Sequence, residues 1–162
     1  LPLERQVKMM ERHGLEIDSQ TLWDQLNALG NVLEPTCSAL SAYVLSQPVI
    51  GADETTWRLM GGKGKKNGGD AKKWQVWTAA APDAVCYQIQ DSRSTEAARN
   101  LLGDYAGTVV CDDYSAYKSL RKRGGRFQLA HCWAHVRRKF IEAEGEAPVE
   151  CREAIGLIAE LY

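Results

Sequence analysis

The 162-residue sequence has no apolar run approaching the length of a membrane span, and its N-terminus, Leu1-Pro2-Leu3-Glu4, lacks the basic and apolar regions of a signal peptide. A soluble, intracellular protein with no membrane partner is the expectation. There is no CxxC pair. The five cysteines (Cys37, Cys86, Cys111, Cys132, Cys151) are odd in number and widely spaced, which argues against a disulfide framework and predicts reduced thiols in a core. Net charge is almost absent, formally -1, so the overall balance points to no polyanionic partner. No methionine opens the chain, and its close, Ile158-Ala159-Glu160-Leu161-Tyr162, reads as the middle of a helix. A piece of a longer protein is therefore expected. What is present, a hydrophobic content of 44%, suits one globular domain with a sizeable core and at most a small appendage.

The charge is small in sum but unevenly placed. Between Arg58 and Lys73 six basic residues (Arg58, Lys63, Lys65, Lys66, Lys72, Lys73) face a single acid, Asp70. Between Lys118 and Lys139 stand eight (Lys118, Arg121, Lys122, Arg123, Arg126, Arg137, Arg138, Lys139) and no acid. Such segregation can build a basic face for phosphates on a nearly neutral protein. The alternative is a solvated loop and a solvated helix face.

The opening third reads as all helix. Glu4 to Arg12 is a charged helix with Val7 and Met10 inward, ended by Gly14. Asp18 or Ser19 caps a second helix to about Leu29, which Gly30 stops, and Pro35 begins a third to about Leu45. The second helix has no Lys or Arg, so a helical hairpin is preferred to a DNA-gripping helix-turn-helix. From Val49 the pattern becomes strand. Val49 to Leu59, Trp74 to Ala80 and Ala84 to Gln90 form an antiparallel meander, with the Gly- and Lys-rich loop Gly61 to Gly69 after the first. A helix capped by Ser92 or Ser94 runs to Leu102, and Thr108 to Cys111 is a central strand. Asp113 caps a helix from Tyr114 to Arg123, Phe127 to Ala130 is the fifth strand, and helices follow from Val136 to about Glu144 and from Val149.

This succession is that of an α/β, ribonuclease-H-like fold: a mixed five-stranded sheet, three strands in an antiparallel meander and two parallel, with flanking helices and an N-terminal helical segment. The corresponding division is a helical lead-in over 1–47, a core over 48–147, and the start of a further helical region over 148–162. Two apolar strands end in acids, VIGADETTW at Asp53-Glu54 and TVVCDDYSAY at Asp112-Asp113. An acid in a strand that should face a core is costly unless compensated, which makes Asp53 the first suspect. In an open α/β sheet, sites gather outside the C-terminal ends of parallel strands, and Asp53 and Asp112 are expected to meet there. Two carboxylates suit Mg²⁺ or Mn²⁺, which keep water or phosphate in their remaining positions and assist phosphoryl displacement. The competing reading is helix capping by Asp112 or Asp113 and a turn at Asp53. Glu54 points to the opposite face from Asp53 in a regular strand, as a surface or supporting group.

The segments GADETTWRLM, CDDYSAYKSL and HCWAHVRRKF, with the lead-in Ser19-Gln20-Thr21-Leu22, resemble the transposases of insertion-sequence family 66. The resemblance covers nearly the whole chain and rests on three ordered motifs. It implies a ribonuclease-H-like DDE domain, with the first catalytic and metal-binding aspartate at Asp53 and the second at Asp112. Asp113 stands where the family commonly has Gly. It further implies metal-dependent DNA strand cleavage and strand transfer, with insertion-sequence ends and target DNA as partners, a homo-oligomer as one assembly, and a bacterial, nucleoid-associated setting in the cytoplasm. The family's third acid, a glutamate in an asparagine-rich motif, lies beyond HCWAHVRRKF, and Glu142, Glu144 and Glu160 match no such motif. The family's N-terminal DNA-binding portion also has no counterpart here. The alternative function is thus a catalytically incomplete DNA-binding or regulatory fragment. An unrelated ribonuclease-H-like nuclease would need further acids that the chain does not obviously supply.

His131, Cys132 and His135 invite a zinc reading, but a structural site normally takes four ligands and no second pair is near. Satisfied core groups, or supports around the metal ligands, are preferred for His131, Cys132 and His135; Glu54, Asp113 and Trp133 are further candidates for such supports. Trp133 is expected in the core, with base stacking as its alternative. The phosphate contacts are expected from Lys63, Lys65, Lys66, Lys72 and Lys73 and from Arg137, Arg138 and Lys139, the last three consecutive on a helix start.

Overall fold

The structure, a computed structural model, describes residues 2–58 and 73–161. The sequence-predicted loop Gly61 to Gly69, with Lys63, Lys65 and Lys66, and Lys72 beside it, lies outside the described residues. The chain divides into two compact units, Leu1–Leu40 and Ser41–Tyr162. In the first, α1 (Leu3–Glu11) precedes the greater part of α2 (Ser19–Ser46), and Leu22 is buried. Asp18 starts α2 as expected, its carboxylate accepting the Thr21 N–H at 2.6 Å.

The two helices expected between Ser19 and Leu45 are one. α2 continues through Gly30 and Pro35. Gly and Pro inside a helix cost about 1 and about 3 kcal/mol respectively, which argues for a break. Leu22, Leu26, Leu29, Leu33 and Leu40 nevertheless keep a helical spacing of three, four or seven across both residues, so the continuous helix preserves a single apolar stripe.

The second unit is built on one sheet of order β3-β2-β1-β4-β5. β1 (Val49–Arg58), β2 (Lys73–Ala80) and β3 (Val85–Gln90) form the antiparallel meander, while β4 (Thr108–Cys111) lies parallel to β1, and β5 (Gln128–His131) parallel to β4. This topology, with α3 (Thr95–Leu102) and α4 (Ser115–Lys122) as crossovers, is the ribonuclease-H-like arrangement. Alternation puts Ile50, Ala52, Trp77, Ala79, Cys86, Val109 and Cys111 into the core, against Ala97, Ala98, Leu101 and Leu102 of α3 and Ala116, Tyr117 and Leu120 of α4. α5 (Trp133–Ala143) begins three residues earlier than Val136 and packs on α6 (Pro148–Ala159). Among the described residues no helix is long and apolar enough to cross a membrane.

The entry to β1 is tied down at one point. The Thr108 N–H donates to the Pro48 carbonyl at 2.9 Å, and the Tyr105 hydroxyl donates to the Gln47 carbonyl at 2.9 Å. Gly107 sits between them, where a Cβ would collide with the Tyr105 hydroxyl and lie 2.6 Å from the Pro48 carbonyl oxygen. Gly107→Ala should therefore lower stability by about 1–3 kcal/mol. Gly156→Ala, at an exposed position of α6 with nothing within 4 Å, should raise it by about 0.5–1 kcal/mol. Urea midpoints check both, and equal midpoints for Gly107→Ala and the parent would contradict the crowding.

Candidate active site

Parallel pairing of β1 with β4 sets Val49 opposite Thr108, Ile50 opposite Val109 and Gly51 opposite Val110. Carried two residues further, the same register brings Asp53 level with Asp112. Neighbouring strands lie about 4.8 Å apart, and level residues of parallel strands point to the same face. Asp53 and Asp112 both line a cavity of about 770 Å³ at the C-terminal side of β4, together with Glu54, Arg93, Asp113, His131 and His135, and with Arg138 and Lys139 of α5.

Asp53 is exposed, not core-facing. The strand period sends Ile50, Ala52 and Glu54 inward, so the buried acid is Glu54; of the two places expected for it, surface or support, the surface one does not hold. Its side chain is 0% exposed. The two carboxylate oxygens are divided between partners: Oε1 accepts from Arg93 Nε at 2.9 Å and from Arg93 Nη2, while Oε2 accepts the Tyr117 hydroxyl at 3.1 Å. Burial pushes the Glu54 carboxyl above the usual range, against the opposing pull of the Arg93 and Tyr117 hydrogen bonds. Burial likewise raises the Tyr117 phenol, with the Glu54 charge adding to it, so Tyr117 remains a donor. The Arg93 guanidinium lies 4.0 Å from the centre of the Tyr114 ring, and the Tyr114 hydroxyl returns a bond to the Arg93 carbonyl. Neither Arg93 nor either tyrosine was expected at the site. The one available signal was the need of a core-facing acid for a cation.

The first turn of α4 also differs from expectation. Asp113 does not cap it: the Tyr114 N–H donates to Asp112 Oδ1 at 2.9 Å, and no side chain caps the helix. An aspartate two residues before the N–H closes a tight turn by itself. Asp113 instead pairs with Lys118, which holds its carboxyl below the usual range, and its Oδ1 is 3.9 Å from His131 Nε2. On α5, His135 has its Nδ1 buried without a hydrogen-bond partner among the described residues. Arg138 and Lys139 line the cavity, with Lys139 Nζ 2.6 Å from Glu142, whereas Arg137 and Trp133 do not. Trp133 is 49% exposed, so its expected core position is overturned. With the helix starting at Trp133 and not at Val136, the first turn carries that ring outward. Lys73 is exposed at the start of β2, opposite Arg58. Of the cysteines, Cys86, Cys111 and Cys151 are buried, but Cys37 is exposed, contrary to the expectation of core thiols throughout.

The profile of the Transposase IS66 family matches residues 1–162. Two uncharacterized proteins of Sinorhizobium fredii are relatives: y4jD is 32% identical over all of this chain and 34% of its own length, and y4qI is 32% identical over 88% of this chain and 28% of its own. The chain thus spans about a third of the length of these curated relatives. Among solved structures, the magnesium complex of the HTLV-2 integrase catalytic core domain, in its trimeric form, is similar over 68% of this chain and 80% of that chain, with 12% identity and a TM-score of 0.36.

The acids around Cys111 bear on its reactivity. Burial first, and then the charges of Asp112 and Glu54, push its thiol up to about 12. At about pH 8 it stays protonated, so iodoacetamide should label it roughly tenfold or more slowly than exposed Cys37. Peptide mapping reads the difference. Equal labelling rates in the folded protein would contradict a buried, acid-flanked Cys111.

Proposed function

Because the chain belongs to the Transposase IS66 family, we propose that it contributes two aspartates, Asp53 and Asp112, to a metal-dependent centre for DNA strand cleavage and strand transfer at insertion-sequence ends. The observation that supports this most is the β1–β4 register, which sets Asp53, midway along β1, level with Asp112, just past the end of β4, over one cavity rimmed by Arg138 and Lys139. The donor set fits a hard divalent cation, Mg²⁺ or Mn²⁺. Each aspartate has one oxygen in a backbone hydrogen bond, Asp53 Oδ1 to the Glu54 N–H and Asp112 Oδ1 to the Tyr114 N–H, and no described residue bonds the other oxygen.

When bound, such a cation assists in-line displacement at phosphorus by activating the attacking oxygen and stabilising the leaving one. The chain's own residues supply the rest. Asp53 and Asp112 would hold the cation, and through it the reacting phosphate would be placed at the mouth of the cavity. Arg138 receives a neighbouring phosphate, and Lys139 does so more weakly because Glu142 already holds it. Lys73, Arg137 and, outside the described residues, Lys63, Lys65, Lys66 and Lys72 extend the DNA path, with insertion-sequence ends and target DNA as partners in the bacterial cytoplasm. The core of this activity is assigned to residues 48–147.

A second reading, DNA binding or regulation without cutting, is favoured by one observation. Among the described residues no three His, Cys, Asp or Glu side chains are grouped to hold a metal ion, so the centre here rests on a pair.

Titration with Mn²⁺ and assay of labelled DNA ends separate the readings. The parent should bind Mn²⁺ roughly tenfold or more tightly than the Asp53→Asn, Asp112→Asn double variant. Equal affinity in both would sink the site, and metal binding without cleavage would favour the second reading. For DNA, Arg138→Gln should reduce the slope of log affinity against log salt by about 0.9, the value for one phosphate contact, and Lys139→Gln should reduce it less. An unchanged slope in both variants would remove α5 from the DNA path.

A further inference from the structure

Asp53 and Glu54 are consecutive in β1 yet face opposite sides of the sheet, so whatever holds Glu54 also holds the backbone that carries Asp53. Glu54 is held unusually firmly for a strand residue. Its carboxylate takes Arg93 on one oxygen and Tyr117 on the other, and its side chain has no exposure. Arg93 lies in the turn before α3, which is fixed in its turn by the Trp77 indole N–H to the Ser92 carbonyl at 3.2 Å and by the Ser94 N–H to the Ser92 hydroxyl at 3.1 Å.

From Arg93 the connection runs on to the second aspartate. The guanidinium rests on the Tyr114 ring, the Tyr114 hydroxyl bonds the Arg93 carbonyl, and the Tyr114 N–H bonds Asp112 Oδ1. We propose that Glu54 is a positioning residue for the aspartate pair, a buried anchor that sets the separation of Asp53 and Asp112 through Arg93 and Tyr114. The proposal rests on reading those two aspartates as a working pair. With Glu54 buried and Arg93 about half exposed, the ion pair is a poor source of stability, since desolvation of the carboxylate offsets much of the attraction. What it does provide is direction: a carboxylate with one oxygen on a planar fork and the other on a hydroxyl has little freedom to rotate. The alternation of β1 ties that direction to Asp53, and the Asp112–Tyr114 turn ties it to Asp112.

Amide hydrogen exchange, followed by NMR on the 162-residue protein, tests the connection without requiring metal or activity. In Glu54→Gln the Tyr114 amide should exchange about tenfold or more faster, while the core amide of Val109 keeps its protection and shows that the fold is intact. Arg93→Lys should give an intermediate value, and Tyr117→Phe, which removes one bond and keeps the ring, guards against a Glu54 variant that fails to fold. Unchanged Tyr114 exchange in the Arg93 and Glu54 variants would overturn the proposal. Mn²⁺ affinity supplies the second arm. A loss of about tenfold or more in Glu54→Gln supports positioning, and equal affinity in parent and Glu54→Gln overturns it. If the parent binds no Mn²⁺ while Tyr114 still responds to Glu54, the positioning role stands and the metal reading of the preceding subsection fails instead.

Discussion

The structure of the second unit depends on a steric constraint in three residues of β1. A pleated strand sends successive side chains to opposite faces, so Ala52, Asp53 and Glu54 go in, out and in. With two acids adjacent, one must enter the core. That acid is Glu54, and a carboxylate without exposure survives there because Arg93 and Tyr117 satisfy both of its oxygens. The pairing draws the turn before α3 and the first turns of α4 against the middle of β1. Asp53 is left exposed at the cavity, which Glu54 and Arg93 also line.

The short strands beside it complete the arrangement. β4 and β5 have four residues each and run parallel to β1, so β4 delivers its following residue, Asp112, to the level of Asp53, and β5 delivers His131 beside Asp113. The Cys132 N–H bonds the Cys111 carbonyl at 2.8 Å, extending that order one step past the strand. α5 leaves from this point, which is why Arg138 and Lys139 border the same cavity as the acids. Carboxylates crowded around one cavity repel one another, and the compensation is unequal. Glu54 and Asp113 have cationic partners, Arg93 and Lys118, whereas no described cation pairs with Asp53 or Asp112. The flanking acids are thus compensated and the central two are not.

Several local signals misled for identifiable reasons. Gly30 and Pro35 marked helix ends because their intrinsic penalties are large, yet the apolar stripe of α2 crosses both without changing side. Trp133 was expected inside on account of its area, but its place in the first turn of α5 turns it outward. Asp113 had the composition of a cap, while the residue before it made the turn. Each error came from a residue whose own preference was overridden by the geometry of the element it joined. The strands were easier. Val49, Ile50, Val109 and Val110 are β-branched residues in short apolar runs closed by acids, a pattern with few other interpretations.

By itself the sequence determined the order of the elements in the second unit, the meander followed by two parallel strands, and the motifs shared with a transposase family. All of these are carried by periodicity and by neighbours along the chain. Only the tertiary structure decided that Glu54 is the buried member of its pair and that its partners are Arg93 and Tyr117, 39 and 63 residues away. The reason is physical: alternation says that two neighbouring side chains face opposite ways, but which face is covered, and by which cation, is decided by helices packed from elsewhere in the chain.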